Sequence, residues 1–458
     1  MRSIKEIFVI GHGPSSSHTM GPAFACEYIL KKYPNAKFIN VTLFGSLALT
    51  GKGHLTDYII HKKLNGIPHV VAFNTTRKTK HPNTMVFNVE DNDGKLYREN
   101  VISIGGGTIL TKDSPFANGN ENVYPHKHLS EILKYCENEK ITLVDYVLRF
   151  EKDDIREYME GIYKAMSESR DRGIEAEGEL PGTLHVKRKA HDMYLAMKNI
   201  KDGNKNIHMN MAISSFAVAE ENAAGGVVVI APTCGSAGVI PGVITYCVMK
   251  EMPHENIING LLVAGLFGTI AKTNASVSGA ECGCQAEIGV ACSMGAALVG
   301  VAQNFSSNDV AQSAEIALEH SLGLTCDPVC GYVQIPCIER CAMFALKAVN
   351  AATLAKLILA NDAKVSYDDI LKTMYQTGRD LQSGYRETSA EAQNLQKTLL
   401  DILKLKRAND CFDKNPACFK RDFSFDKSVI VVCFGTPNVS GDAFGPLVAD
   451  SLREVCGV

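Results

Sequence analysis

Eight cysteines, Cys234, Cys282, Cys284, Cys292, Cys326, Cys330, Cys337 and Cys341, fall in the least charged stretch of a chain that holds 15 cysteines in 458 residues. The opening run MRSIKEIFVIGHG is too short in apolar residues for a secretory h-region, so the expectation is reduced thiols in the cytosol rather than disulfides. Any one cysteine alone reads as small core filler; clustering points instead to a metal. The three-residue gaps between Cys326 and Cys330 and between Cys337 and Cys341 would suit a zinc site of four thiolates. The flanking sequences APTCGSAGVIPGV, SGAECGCQAEIGVACSM and LTCDPVCGYVQIPCIERCAM resemble buried helices rather than a small basic ribbon. A hydrophobic shell of that kind favours an iron–sulfur cluster. Spacing alone leaves open which cysteines bind it.

A second chemical group lies near the N-terminus. FVIGHGPSSSHTMGPAFACEYIL reads as strand, Gly/Ser loop and helix, with Thr19 or a neighbour as cap and Pro22 in the first turn. Ser15, Ser16, Ser17 and His18 then sit at a helix N-terminus, where backbone N–H groups and the dipole favour a small carboxylate. The plain alternative is a Ser-rich capping loop. Further on, LFGSLALTGKGHLTD has glycines at 45, 51 and 53 and a Lys52, His54, Asp57 cluster. It lacks the spacing of a phosphate-binding P-loop. A histidine there is a candidate acid or base, although a lone histidine is more often structural.

The elements that must position these residues fall into two kinds. Runs such as EIFVI, FINVTLF, HVVAFN, TMVFNVED and LYRENVISI alternate as strands and, with helical AFACEYILKKY, predict an α+β domain over residues 1–120. The Gly-rich segment IGGGTI near its end reads as a turn. From 127 to 395 the apolar residues recur at helical spacing, predicting a mostly α-helical, Ala/Gly-rich domain. Polar residues there, among them Asn222, Asn274, Glu281, Gln285, Glu287 and Asp327, are costly to bury unless they hydrogen-bond or serve a site. Residues 396–427 read as an amphipathic stretch and charged linker, and 428–458 as a β–α extension. With 47 Lys and Arg against 50 Asp and Glu, no net field draws the chain to nucleic acid or anionic membranes. No uncharged apolar run of about 18 residues predicts a membrane span.

Taken together, GPSSSHTMGP and FGSLALTGKGHLTD resemble the β portion of iron–sulfur L-serine dehydratases, and GCQ, CDP and IPC resemble the ligand motifs of their α portion. The resemblance implies a [4Fe-4S] cluster on Cys284, Cys326 and Cys337, with one iron open as a Lewis acid. It implies that Ser16, Ser17 and His18 hold the carboxylate of L-serine, with Ser15, Thr19 and Lys52 beside them. His54 becomes the candidate base and His18 a second catalytic histidine, and Asn222 in ENAAGG and Asn274 in TNASVSG become substrate-site candidates. The expected products are pyruvate and ammonia, and the expected assembly is a homodimer. TGRDLQSGYRETS resembles the closing α segment, returning Arg379, Tyr385 and Arg386 toward the site. Beyond Ser389 the likeness stops; Cys411 and Cys418 are candidate stand-ins for a tail cysteine, set against a solvent-exposed Asp/Lys-rich linker, and KSVIVVCFGTPNVSGDAFGPLVADSLREV resembles the opening of hydrogenase-maturation and spore-protease-like peptidases. Two other readings are an iron–sulfur lyase for L-threonine or L-cysteine, and an amino-acid-binding regulator without turnover. No Schiff-base lysine beside a phosphate loop suggests pyridoxal chemistry.

Overall fold

The computed structural model describes residues 1–112, 122–326, 328–358, 363–382 and 385–386. Asp327, Cys411, Cys418 and the β–α extension at 428–458 lie outside the described residues. The alternating runs seen in the sequence build a five-stranded sheet, but the first of them does not join it. Strand β1 (Val9–His12) is followed by β2 (Ala36–Phe44), β3 (His69–Asn74), β4 (Thr84–Asp91), β5 (Leu96–Gly105) and β6 (Thr108–Leu110). The order across the sheet is β3-β2-β4-β5-β6, with β2 and β3 parallel and the other pairs antiparallel. Alternate residues Ile39, Val41, Leu43, Met85, Phe87 and Val89 face inward and pack with Cys26 and Ile29 of the Gly21–Lys32 helix and Ile59 and Ile60 of the Thr56–Lys63 helix. Burying a side chain of this size contributes about 1.5–3 kcal/mol. The turn after β5 needs its three glycines: Gly105, Gly106 and Gly107 all have positive φ, a region other residues rarely enter.

β1 pairs antiparallel with β7 (Val227–Ile230), in the register Val9↔Ile230 to His12↔Val227. Ile4, Ile7 and Phe8, just before it, belong to the helical core rather than to the sheet's core. Residues 1–396 accordingly form one compact unit.

The rest of that unit is helical. Val290–Ala302 runs through its centre, flanked by His254–Asn274, Val239–Met249, Ser307–Glu319 and Cys337–Leu357. Small residues let these helices approach closely: a Cβ on Gly260 would lie 2.8 Å from the Leu298 carbonyl oxygen. Two helical runs, His254–Asn274 and Gln285–Ala302, are by length and composition apolar enough to cross a membrane, against the sequence expectation of none. They lie in the protein core, 78% and 89% buried, so this apolarity serves packing.

Candidate functional site

The N-terminal loop leaves β1 through a cis Gly13–Pro14 bond and enters a π-helical turn, Ser16–Met20, that runs into the Gly21–Lys32 helix. Ser15, rather than Thr19, caps it, its hydroxyl accepting from the His18 backbone N–H at 3.2 Å. His18 is buried, with Nδ1 2.8 Å from Ser17 Oγ and Nε2 2.9 Å from Ser46 Oγ. Burial, with His54 beside it, holds His18 well below the ordinary imidazole range, so the ring is neutral at pH 7.

His54 comes from the second loop. Gly45 opens it with φ +55, where a Cβ would strike the Pro82 carbonyl at 2.4 Å, and the helical turn Ser46–Thr50 follows. The His54 ring is buried, with its centroid 4.8 Å from that of His18. Its Nδ1 lies 3.1 Å from the Thr50 carbonyl oxygen. A carbonyl only accepts, so Nδ1 carries the proton and Nε2 faces away from Thr50. Two threonines brace the loops reciprocally. The Thr19 hydroxyl donates to the His54 carbonyl at 2.7 Å, and the Thr56 hydroxyl donates to the His18 carbonyl at 2.5 Å.

The thiols come from the helical part. Cys284 immediately precedes a second π-helical turn, Gln285–Gly289, which continues into Val290–Ala302; Cys337 is the first residue of Cys337–Leu357; Cys326 lies in the loop between helices. Two of the three thiols therefore stand at the positive ends of long helices, which favours thiolate. A hydrogen bond from the Cys326 thiol, ahead of the Arg340 guanidinium, brings Cys284 down to about 7 despite burial. Burial, followed by the Cys284 and Glu287 charges, pushes Cys337 up, so Cys284 ionises first. Glu287, three residues beyond Cys284, has Oε2 3.6 Å from Cys326 Sγ. The backbone at Gly279 presses against both groups: a Cβ there would lie 2.6 Å from Glu287 Oε2 and 2.8 Å from Cys326 Sγ.

One cavity of about 730 Å³ joins the two groups. Of the residues singled out from the sequence, Ser15, Ser16, Ser17, His18, His54, Cys284, Cys326 and Cys337 all line it. Thr19 stands behind the histidines as a brace. Asn222 does not line the cavity; its amide donates to the Pro14 carbonyl at 3.4 Å beneath the serine loop, and a Cβ on Gly13 would meet its Oδ1 at 2.3 Å. Asn274 and Lys52 are not brought there either. Asn274 donates to the Lys127 and Ile270 carbonyls at a helix end, and Lys52 is exposed with Nζ 5.6 Å from the Phe73 ring centroid. Cys326 N–H donates to the Tyr385 carbonyl and Arg386 reaches the Glu281 carbonyl, so the closing segment does return to the thiol loop. Arg379 instead lies over the Tyr375 ring. Cys292 and Cys341 are wholly buried and do not line the cavity, which suits packing rather than ligation. Arg340, which spacing did not single out, lines the cavity; its place one helical turn after Cys337 is the signal that would have found it.

Among the described residues no three His, Cys, Asp or Glu side chains converge on a point fit for one metal ion. That disfavours a mononuclear zinc site but not a cluster, which spreads its thiolates over separate irons. Four thiols, Cys234, Cys284, Cys326 and Cys337, face the cavity from an apolar shell, enough for a cluster, with the Arg340 guanidinium to offset negative charge.

Comparison with known proteins assigns the chain to two family models. Residues 3–71 match the model of the serine dehydratase beta chain and residues 76–392 that of the serine dehydratase alpha chain. The chain is 38% identical to an L-serine dehydratase of Haemophilus influenzae over 448 residues, covering 85% of this chain and 98% of that protein. It is 37% identical to L-serine dehydratase 2 of Escherichia coli over 447 residues, covering 85% and 97%, and 36% identical to the Helicobacter pylori L-serine dehydratase over 443, covering 84% and 97%. The chain belongs to the serine dehydratase family, with its beta-type and alpha-type portions in one polypeptide.

Proposed function

We propose that this chain is an L-serine ammonia-lyase, releasing pyruvate and ammonia, with an α+β portion at 1–120 that holds substrate and a helical portion at 127–395 that holds a [4Fe-4S] cluster on Cys284, Cys326 and Cys337. The observation that carries the reading is the shared cavity, which brings the serine-bearing helix end, His18, His54 and the thiols of Cys284, Cys326 and Cys337 together. A cluster bound there supplies a Lewis acid for the substrate hydroxyl, which is otherwise a poor leaving group.

The chain's own residues do the rest. Hydroxyls of Ser15, Ser16 and Ser17, at the start of the helical run 16–32, receive the substrate carboxylate. His54, its tautomer fixed by Thr50, takes the α-proton on Nε2. Neutral His18, held between Ser17 and Ser46, orients those hydroxyls without adding a charge. Thr19 and Thr56 fix the distance between the two histidines. Loss of water leaves an enamine, which tautomerises to an imine and hydrolyses to the products.

The test is anaerobic purification with iron and sulfide analysis, followed by keto-acid release from L-serine, L-threonine and L-cysteine. Iron and sulfide with L-serine the best substrate is expected. Zinc without iron would remove the cluster, and a His54→Ala variant with undiminished turnover would remove the base.

A further inference from the structure

Cys284, Cys326 and Cys337 stand on three separate segments, and one side chain reaches all three. Arg340 lies in the first turn of Cys337–Leu357, half-buried on the cavity wall. Its Nη1 donates to the Thr325 carbonyl at 2.8 Å, which ties the residue before Cys326 to the helix that begins at Cys337. The Cys326 N–H of the same peptide unit donates to the Tyr385 carbonyl at 2.8 Å, so that unit is fixed at both its polar ends. The guanidinium also hydrogen-bonds the Cys284 side chain, with Cys337 and Cys326 within range of its charge. Glu339, its neighbour in sequence, is exposed and pairs instead with Lys189 Nζ at 3.1 Å.

The chemistry of the side chain suits this place. A guanidinium carries five N–H donors in a rigid planar fork and does not lose its charge, so it can serve a carbonyl and a sulfur at once; a lysine is a point charge on a flexible stem. Hydrogen bonds to the sulfurs and nearby charge set the potential of an iron–sulfur cluster, and partners just outside the ligands govern how firmly metal is held. A positive donor beside a ligand sulfur favours the state that carries the extra electron. We propose that Arg340 is a positioning residue of the cluster site, holding the Cys326 loop against the Cys337 helix while donating to the Cys284 sulfur, and that it thereby raises the reduction potential of the cluster and slows its loss of iron. This rests on the [4Fe-4S] reading above.

The test uses the anaerobically reconstituted full chain. It reads iron and sulfide per chain, the potential at which the paramagnetic resonance signal of the reduced cluster appears, and the rate of iron transfer to a chelator. Arg340→Gln is expected to lower the potential and to release iron on the order of 10–100-fold faster, the usual range for loss of a partner just outside a metal ligand. Arg340→Lys, which keeps the charge without the fork, should recover much of the potential and less of the retention. Glu339→Gln, which does not line the cavity, should match wild type in both. Iron uptake lost in Arg340→Gln and restored in Arg340→Lys would be the same result in stronger form. Arg340→Gln with wild-type potential and iron release would overturn the assignment. So would a lysine variant whose potential is no closer to wild type than that of glutamine, or failure of both variants to load iron. Wild-type protein that takes up neither iron nor sulfide would instead sink the cluster reading, so the two failures are distinguishable.

Discussion

Gly279→Ala probes the thiol site with a single added methyl group. The backbone at Gly279 lies outside the positive-φ region, so alanine adds no conformational strain and the effect is purely steric. The new Cβ would lie 2.8 Å from Cys326 Sγ and 2.6 Å from Glu287 Oε2, against a comfortable separation of about 3.5–4 Å for such heavy atoms. One or both groups must move by about 1 Å. Overpacking of this size costs about 1–3 kcal/mol, and here the strain falls on a proposed cluster ligand. The expected outcome is a melting temperature lowered by several degrees in the apoprotein. Iron and sulfide per chain should fall well below wild type after anaerobic reconstitution. Gly161→Ala is the control: nothing lies within 4 Å of its Cβ, and it sits inside the Ile155–Glu175 helix. That variant should be more stable by about 0.5–1 kcal/mol with full iron. Gly279→Ala protein with wild-type iron content and wild-type stability would refute the close approach on which the argument depends.

Thr56→Val removes the brace to His18 and strands a buried carbonyl, costing about 1–3 kcal/mol; a thermal melt should show it, together with lower kcat, whereas unchanged kcat would deny the brace a positioning role. In apoprotein, alkylation by iodoacetamide followed by mass spectrometry should label Cys284 ahead of Cys337, its rate rising through pH 7 as the thiolate forms, while Cys292 and Cys341 stay unlabelled. Glu315 is raised to about 7 by burial and then by Glu319, so the folded state holds its proton more tightly than the unfolded chain. That contribution is fully present below the unfolded pKa and is lost as pH rises through 7. Glu315→Gln should therefore melt close to wild type at pH 5 and above it at pH 8, by roughly 1–3 kcal/mol after allowance for solvent screening; a difference that does not change with pH would count against the shift.

The strands of the sheet and the two histidine-bearing loops were legible because their signals are local. Alternation marks β2 to β5, and clustered glycines and serines mark the loops at 13–19 and 45–54. Pairing of β1 with β7 was not legible, since it joins Val9 to Ile230 across more than half of the described chain and nothing local encodes the partner. Cys284, Cys326 and Cys337 could not be told from Cys292 and Cys341 by spacing either, because a buried cysteine packs alike whether or not it faces a cavity. Only the family motifs separated them. Asn222 shows the same limit in a polar residue. A costly amide in an apolar helix signals a necessary hydrogen bond, but the sequence does not say whether the partner is a ligand or the Pro14 carbonyl. Arg340 was missed because an arginine beside Glu339 at the start of a helix reads as an exposed face.

What the sequence pattern hides most is the convergence of helix starts. Ser16 and Ser17, Cys284 and Glu287, and Cys337 all lie at or within one turn of the N-terminal ends of separate helical runs, and all line the same cavity. Each such end stabilises an anion by about 0.3–1 kcal/mol, and by more where water is excluded. Three ends opening on one space make a pocket suited to a carboxylate on one wall and thiolates on the other. Two of the runs begin with a π-turn, and no other π-helix occurs among the described residues. A π-turn widens the first coil of a helix, so donors and side chains that a regular helix would align along its axis are spread toward the cavity. The cost of these irregular turns is met by rigid surroundings: reciprocal threonine braces on one side and close-packed Ala/Gly helices on the other. A pocket built in this way attracts negative groups from two directions, and Arg340 on its wall adds a positive charge to the same field.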